Sequence, residues 1–298
     1  MNDQIRHSNS ARLASTDVKL LLVVPIVLSV LLSSCAKSAT PTTTSIVKHI
    51  STTTIPTTTT STTIAKSSTS TTPTIVEVEP SVGTATFTRS GSTPDYTVTV
   101  NYPVLGGMIS RTIQSEINSQ VISAVSNWTN SFVQNSSISG QSGQGSNSSS
   151  LSGSYKVILV DSKVASFQFL LSESGQGSTS QSSLVETLNF NLATGSLYNL
   201  DNLFQPSSNY LSVLSSASIQ LLATQLASSN VSLAQLQNNS QLGPLPANFT
   251  AFNVAGNGLE IAFAQGQVDQ TSLGIMTVVI PSSTLSSVIN PNGPLANP

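Results

Sequence analysis

Five carboxylates, Glu173, Glu186, Asp201, Glu260 and Asp269, have the best claim to chemistry in this chain. Two carboxyl groups held several ångströms apart can cleave a glycan, one as acid and the other as nucleophile or base. Their spacing along the chain singles out no pair. Asp201, within Leu200-Asp201-Asn202-Leu203-Phe204, reads as the cap of a turn or short helix, and Glu186, alternating with apolar neighbours, reads as facing solvent. The two histidines, His7 and His49, lie near the N-terminus, so the region from Val76 onward offers no imidazole for a Ser–His or Cys–His nucleophile or a His-based metal site. A serine paired with Lys156 or Lys163 is formally open, yet serines are so abundant that proximity to a lysine carries no weight, and no G-x-S-x-G elbow occurs. Gly175-Gln176-Gly177 and Gly256-Asn257-Gly258 lack the strand, glycine loop and helix context of phosphate sites and read as turns. The expectation is a chain that is not an enzyme and carries no catalytic residue, metal or cofactor.

Cys35 is the one cysteine, which excludes a disulfide within the chain. Arg6, Arg12 and Lys19 precede an apolar run from Leu20 to Leu32, too short to span a membrane comfortably and suited to a signal-peptide core. The run ends in Leu32-Ser33-Ser34-Cys35, which resembles a bacterial lipobox: a branched apolar residue, two small residues for the peptidase, then the thiol that takes the lipid. The competing reading is an uncleaved anchor with an incidental cysteine. Residues 1–34 are thus expected to be a lipoprotein signal peptide, with Cys35 lipidated and the chain held on the outer side of a cell membrane. Stable anchoring needs two or more acyl chains.

Residues 35–75 are dominated by Thr and Ser with scattered Pro, too poor in apolar groups to build a core, and read as a disordered stalk. Charged residues make up 7% of the chain, against roughly 25% in ordinary soluble domains. From Val76 onward the cations are Arg89, Arg111, Lys156 and Lys163. So few argue against a nucleic-acid partner, which needs clustered Lys and Arg. They also mean that full protonation of the carboxylates leaves little positive charge, so self-repulsion in acid should stay mild.

Residues 76–298 should form the folded domain, with a strand–helix part to about 134 and a second part from about 155. Tyr96 to Asn101 alternates as a half-buried strand. Ile109, Ile113, Ile117, Val121, Val125, Trp128 and Phe132 recur at steps of three and four, predicting a long helix with those side chains in the core. Asn135 to Ser154 and Ser174 to Ser183 read as polar loops; Tyr155–Val160 with Val164–Leu171 reads as a hairpin; Leu184–Leu192 reads as a strand. A second helix is expected around Tyr210 to Leu226, capped by Ser207 or Ser208, then a hairpin about Asn257-Gly258, a strand over Gly274–Ile280 and a short helix over Ser282–Ile289. Antiparallel hairpins and a mixed sheet packed with two main helices make an α+β domain.

The helix after Tyr102-Pro103, the stretch Phe190-Asn191-Leu192-Ala193-Thr194-Gly195 with Leu200-Asp201-Asn202-Leu203-Phe204, and the ending Phe263, Gly274, Ile280-Pro281 and Leu285 together resemble the extracytoplasmic RsiV-like domain family, over roughly Pro94 to Ile289. The resemblance implies a non-catalytic receptor fold: in its best-known member the domain binds lysozyme and its proteolysis frees a sigma factor. Three departures bear on the carry-over. The segment before the apolar run leaves no room for an anti-sigma bundle, and a lipobox stands where a spanning helix is usual. Ser174-Gly175-Gln176-Gly177-Ser178 replaces a Gly-Gly-Ala-His-Gly type of loop, and Gly266 and Thr271 replace tyrosines. The expected function is a lipid-anchored binding module for a secreted wall hydrolase or peptidoglycan, with the loops 136–154 and 174–183 as its rim; the alternatives are a carboxylate-dependent wall enzyme and a spacer without ligand.

Overall fold

The computed structural model describes residues 80–139, 148–175, 181–269 and 273–296, all in the second of the chain's two units, Thr71–Pro298. The signal peptide, Cys35, His7, His49 and the stalk lie outside the described residues. An α+β architecture is observed, as expected.

The first sheet has five strands in chain order: β1 (Ser81–Ser92), β2 (Asp95–Gly106), β3 (Ser149–Val160), β4 (Val164–Ser174) and β5 (Gln181–Asn191). Every neighbouring pair is antiparallel except β2 with β3. A parallel pair needs a long crossover, and α1 (Arg111–Ser139) lies between those two strands in the chain. Ile117, Val121, Val125 and Phe132 bury one stripe of α1 against Val98, Val100, Phe167, Phe169 and Phe190 of the sheet. Trp128 meets the Phe169 ring edge-on at 4.9 Å, so the aromatic residues of the stripe serve packing. The helix starts where Ser110 Oγ accepts from the Ile113 amide at 3.3 Å and Gln114 Oε1 accepts from the Met108 amide at 3.1 Å. Ile109 therefore precedes the helix, 87% exposed, and does not belong to its stripe. Asn118 clamps α1 to β2, its amide bonding both the N–H (2.8 Å) and the C=O (2.9 Å) of Leu105.

The second sheet, antiparallel, is β6 (Phe252–Ala255), β7 (Gly258–Phe263) and β8 (Met276–Pro281). β6 packs on β3, β4 and β5, while the other face of the second sheet carries α2 (Tyr210–Gln225), joined by α3 (Leu233–Asn238) and α4 (Ser282–Leu285). Leu214, Leu222, Phe252, Val254, Ile261, Phe263 and Ile280 form this second core. The second unit is thus layered helix, sheet, sheet, helix, with an apolar core in each outer gap. Asn257 sits in the expected two-residue hairpin, closed by Ala255 opposite Gly258. Gly258 has φ of +154°, and a Cβ there would collide with the Ile280 carbonyl oxygen, so a side chain is excluded.

Three expectations about boundaries are corrected. α1 runs on to Ser139 and β3 begins at Ser149, so the loop expected over 136–154 shrinks to 140–148, of which 140–147 lies outside the described residues. β4 and β5 likewise extend to Ser174 and from Gln181, which leaves 175–180 of the second loop, with 176–180 outside the described residues. The residue preceding α2 is Asn209, without a side-chain cap bond, while Ser207 adopts φ of +61° in the preceding turn and the Ser208 hydroxyl is buried without a partner.

Candidate functional site

The gap between the two sheets is held by amides and hydroxyls. On β4 the face turned from α1 carries Ser166, Gln168, Leu170 and Ser172. Ser166 donates to Asn189 Oδ1 at 2.8 Å, and Asn253 Nδ2 donates to Ser166 Oγ at 3.0 Å and to the Phe167 carbonyl at 2.9 Å. Asn189 bonds β6 as another strand would: its Nδ2 donates to the Phe252 carbonyl at 2.8 Å and its Oδ1 accepts from the Val254 amide at 2.9 Å. Thr187 Oγ1 accepts from the Phe252 amide at 3.2 Å. Ser166, Gln168, Asn189 and Asn253 are all buried, and their mutual bonds remove the desolvation cost of placing them there.

This network ends at a cleft. Gln168 Nε2 donates to Glu260 Oε1 at 2.8 Å, with a longer 3.5 Å contact to Asn253 Oδ1. Beyond it, Ile275 and Thr277 at the start of β8 stand across from β3 and β4 over a cleft of about 620 Å³ lined by Ser152, Ser154, Lys156, Gln168, Ser172 and Ser183 with Leu170. Strand register sets the hydroxyl lining: Thr88, Thr99, Ser152, Ser172 and Ser183 stand opposite one another across β1 to β5 in one transverse row. Among the described residues, the hydroxyls of Ser152, Ser154 and Ser172 and the ammonium of Lys156 make no hydrogen bond or ion pair. Burial pushes the Glu260 carboxyl above its usual range, against the opposing pull of the Lys156 charge and the Gln168 bond.

The five carboxylates are dispersed. Glu260 faces the first sheet from β7. Glu186 sits on the α1 side of β5, opposite Phe169, half-buried, with burial raising its pKa; the expectation that it faces solvent is wrong. Glu173 is on the same side of β4, four residues along from Phe169, its pKa also raised by burial. At strand spacing that separates Glu173 and Glu186 by about 14 Å, beyond the roughly 5–9.5 Å of glycosidase pairs. Asp201 is exposed in the first turn of the 3₁₀ segment Leu200–Leu203. The N-cap there is Asn199, whose amide donates to Oδ1 of Asn202 three residues on at 2.9 Å, so Asp201 does not hold the capping role expected of it. Asp269 is exposed. Lys163 lies in the β3–β4 turn, where Asp161 Oδ1 accepts from the Lys163 and Val164 amides, each at 2.6 Å. Among the described residues no group of three or more His, Cys, Asp or Glu side chains could hold a metal ion, and no helix is long and apolar enough to cross a membrane.

Sequence reasoning missed the cleft. Ser150, Ser152 and Ser154 alternate with Leu151, Gly153 and Tyr155, a period-two signal hidden by a Ser/Gly composition that read as loop.

No curated protein matches the chain. Among solved structures, a member of the DUF3298 family from Bacteroides fragilis shares the fold, with a TM-score of 0.54 at 15% identity over 74% of this chain and 96% of that one. A DUF3298 family protein from Pseudomonas aeruginosa aligns over the same shares with a TM-score of 0.49 at 10% identity. Within the chain itself, the segment from the 3₁₀ turn before α2 through β8 into α4, residues 201–283, matches the family model described as protein of unknown function, DUF3298.

Proposed function

We propose that this chain is a lipid-anchored extracytoplasmic binding module for a cell-envelope protein or a peptidoglycan-related ligand, held at the membrane through Cys35 and acting without catalysis. The observation that carries the reading is the cleft: a concave site of the size that takes small ligands, with uncommitted donors on its walls and an amide network fixing its floor. Of the five candidate carboxylates only Glu260 adjoins it, which favours binding over a paired-carboxylate hydrolase. The resemblance to the RsiV-like family points the same way, toward recognition outside the cell.

The test is capture of envelope proteins and wall fragments by the full chain in detergent, with a c-type lysozyme as a defined probe. Saturable binding at micromolar concentration or tighter, weakened by substitutions at Ser152 and Ser172, is the expected result. Turnover of wall fragments that is lost in Glu260→Gln would overturn the non-catalytic reading. For the anchor, Cys35→Ala should move the chain from the membrane to the soluble fraction; retention in the membrane would overturn lipidation at that residue.

A further inference from the structure

We infer that the cleft between β8 and the first sheet is a site for an acidic glycan, a sugar chain bearing carboxylates, with Lys156 as the anchor for the acid group; this rests on the binding-module reading. Lys156 stands opposite Gln168 in register, on the cleft side of β3. Its ammonium has three N–H donors and none is engaged within the described residues. The other cations are placed differently. Arg89 donates to Asn130 Oδ1 at 2.7 Å and lies over the Tyr96 ring, Arg111 opens α1, and Lys163, exposed as Lys156 is, lies in the β3–β4 turn and not among the residues lining the cleft. In a domain this poor in cations, one free ammonium in a concave hydroxyl-lined site is a specific feature.

Glu260 does not occupy that ammonium as a partner. Its Oε1 accepts from Gln168 at 2.8 Å, and its influence on Lys156 is electrostatic rather than a close ion pair. It balances the charge of the site when no ligand is bound. It also disfavours a ligand carboxylate placed on the Gln168 side, which directs the acid toward Ser152 and Ser154. Around the lysine the walls hold Ser152, Ser154, Ser172, Ser183 and Thr277, side chains that both donate and accept. A ligand that satisfies them must itself donate and accept along its length, as sugar hydroxyls do. Leu170 and Ile275 supply apolar surface for the C–H face of a ring. A carboxylate on Lys156 adds a charge-assisted bond, the strongest single polar contact available in the cleft.

The experiment titrates the full chain, in detergent, with tetragalacturonate and with cellotetraose as its neutral counterpart. Lys156→Gln is compared with Lys163→Gln, which removes the same charge from a turn outside the cleft. Tetragalacturonate should bind at least tenfold more tightly than cellotetraose. Lys156→Gln should weaken it tenfold or more and lessen its sensitivity to salt, while Lys163→Gln should stay within twofold of the parent. Equal effects of the two substitutions, or equal binding of the two sugars, would overturn the anchoring role of Lys156. If neither sugar binds while the envelope capture still yields a saturable partner, the glycan class falls and the binding-module reading stands; if both experiments are blank, both fall.

Discussion

Phe167 and Phe169 project from β4 into the core beneath α1, while Ser166 and Gln168, on the same strand, project the other way into amide and hydroxyl bonds with the second sheet. One face of the first sheet is therefore closed by apolar packing, which is roughly proportional to area and indifferent to direction. The other is closed by directional bonds that fix one register and stop where their partners stop. That difference explains the cleft. An apolar face left half covered would favour further burial, whereas the hydroxyl row from Thr88 to Ser183 is stable against water and can stay open.

Substitutions on the two faces should separate these mechanisms. Phe169→Ala removes a fully buried ring and should cost about 3–5 kcal/mol in denaturant unfolding. Asn253→Ala removes one of the two partners of Ser166, which keeps its bond to Asn189, and the side-chain donor to the Phe167 carbonyl and should cost about 2–3 kcal/mol, with loss of protection from hydrogen exchange concentrated in β6 and β7. If Asn253→Ala costs less than about 1 kcal/mol, the amide network is not what seats the second sheet, and the contrast between the faces fails. A cost for Asn253→Ala equal to that of Phe169→Ala would instead make the polar gap as much a core as the apolar one.

The apolar face was the legible one. Residues 113 to 132 repeat at steps of three and four because α1 buries a single stripe. The polar face hid itself in two ways. Ser149 to Ser154 has low intrinsic strand preference, and only pairing with β4 on one side and Tyr96 to Val100 on the other makes it a strand. β1, with Thr84, Thr86 and Thr88 alternating with Ala85 and Phe87, is an edge strand whose small half-buried side gives a weak pattern. Glu186 was misread for a related reason. Both Val185 and Leu188 are buried, on opposite faces of β5, because this part of the sheet is covered on both sides. With apolar residues at both parities, alternation cannot assign a face to the residue between them. Glu260 offered no signal at all, since its place beside the cleft, on Gln168, depends on how two sheets stack.

The smallest expected effect concerns that misread carboxylate. Glu186 lies at the rim of the apolar face, and burial raises its pKa from the reference value of 4.5, as burial also does for Glu173 and Glu260. A raised carboxylate pKa means that the folded state binds its proton more tightly than the unfolded chain does. Stability should therefore be lowest above the folded pKa, increase as pH falls through it, and reach its full gain once pH is below the unfolded value. Thermal unfolding of the parent should accordingly shift upward as pH falls from 7 toward the unfolded value, the reverse of a domain held by ion-paired carboxylates. Glu186→Gln removes the charge without removing the shape. It should raise Tm at pH 7 by about 1–3 °C and leave a shallower rise toward pH 5. A parent Tm that falls over that range, with the Gln variant following in parallel, would place Glu186 effectively in water and return the rim of the apolar face to the solvent-facing position that alternation alone suggested.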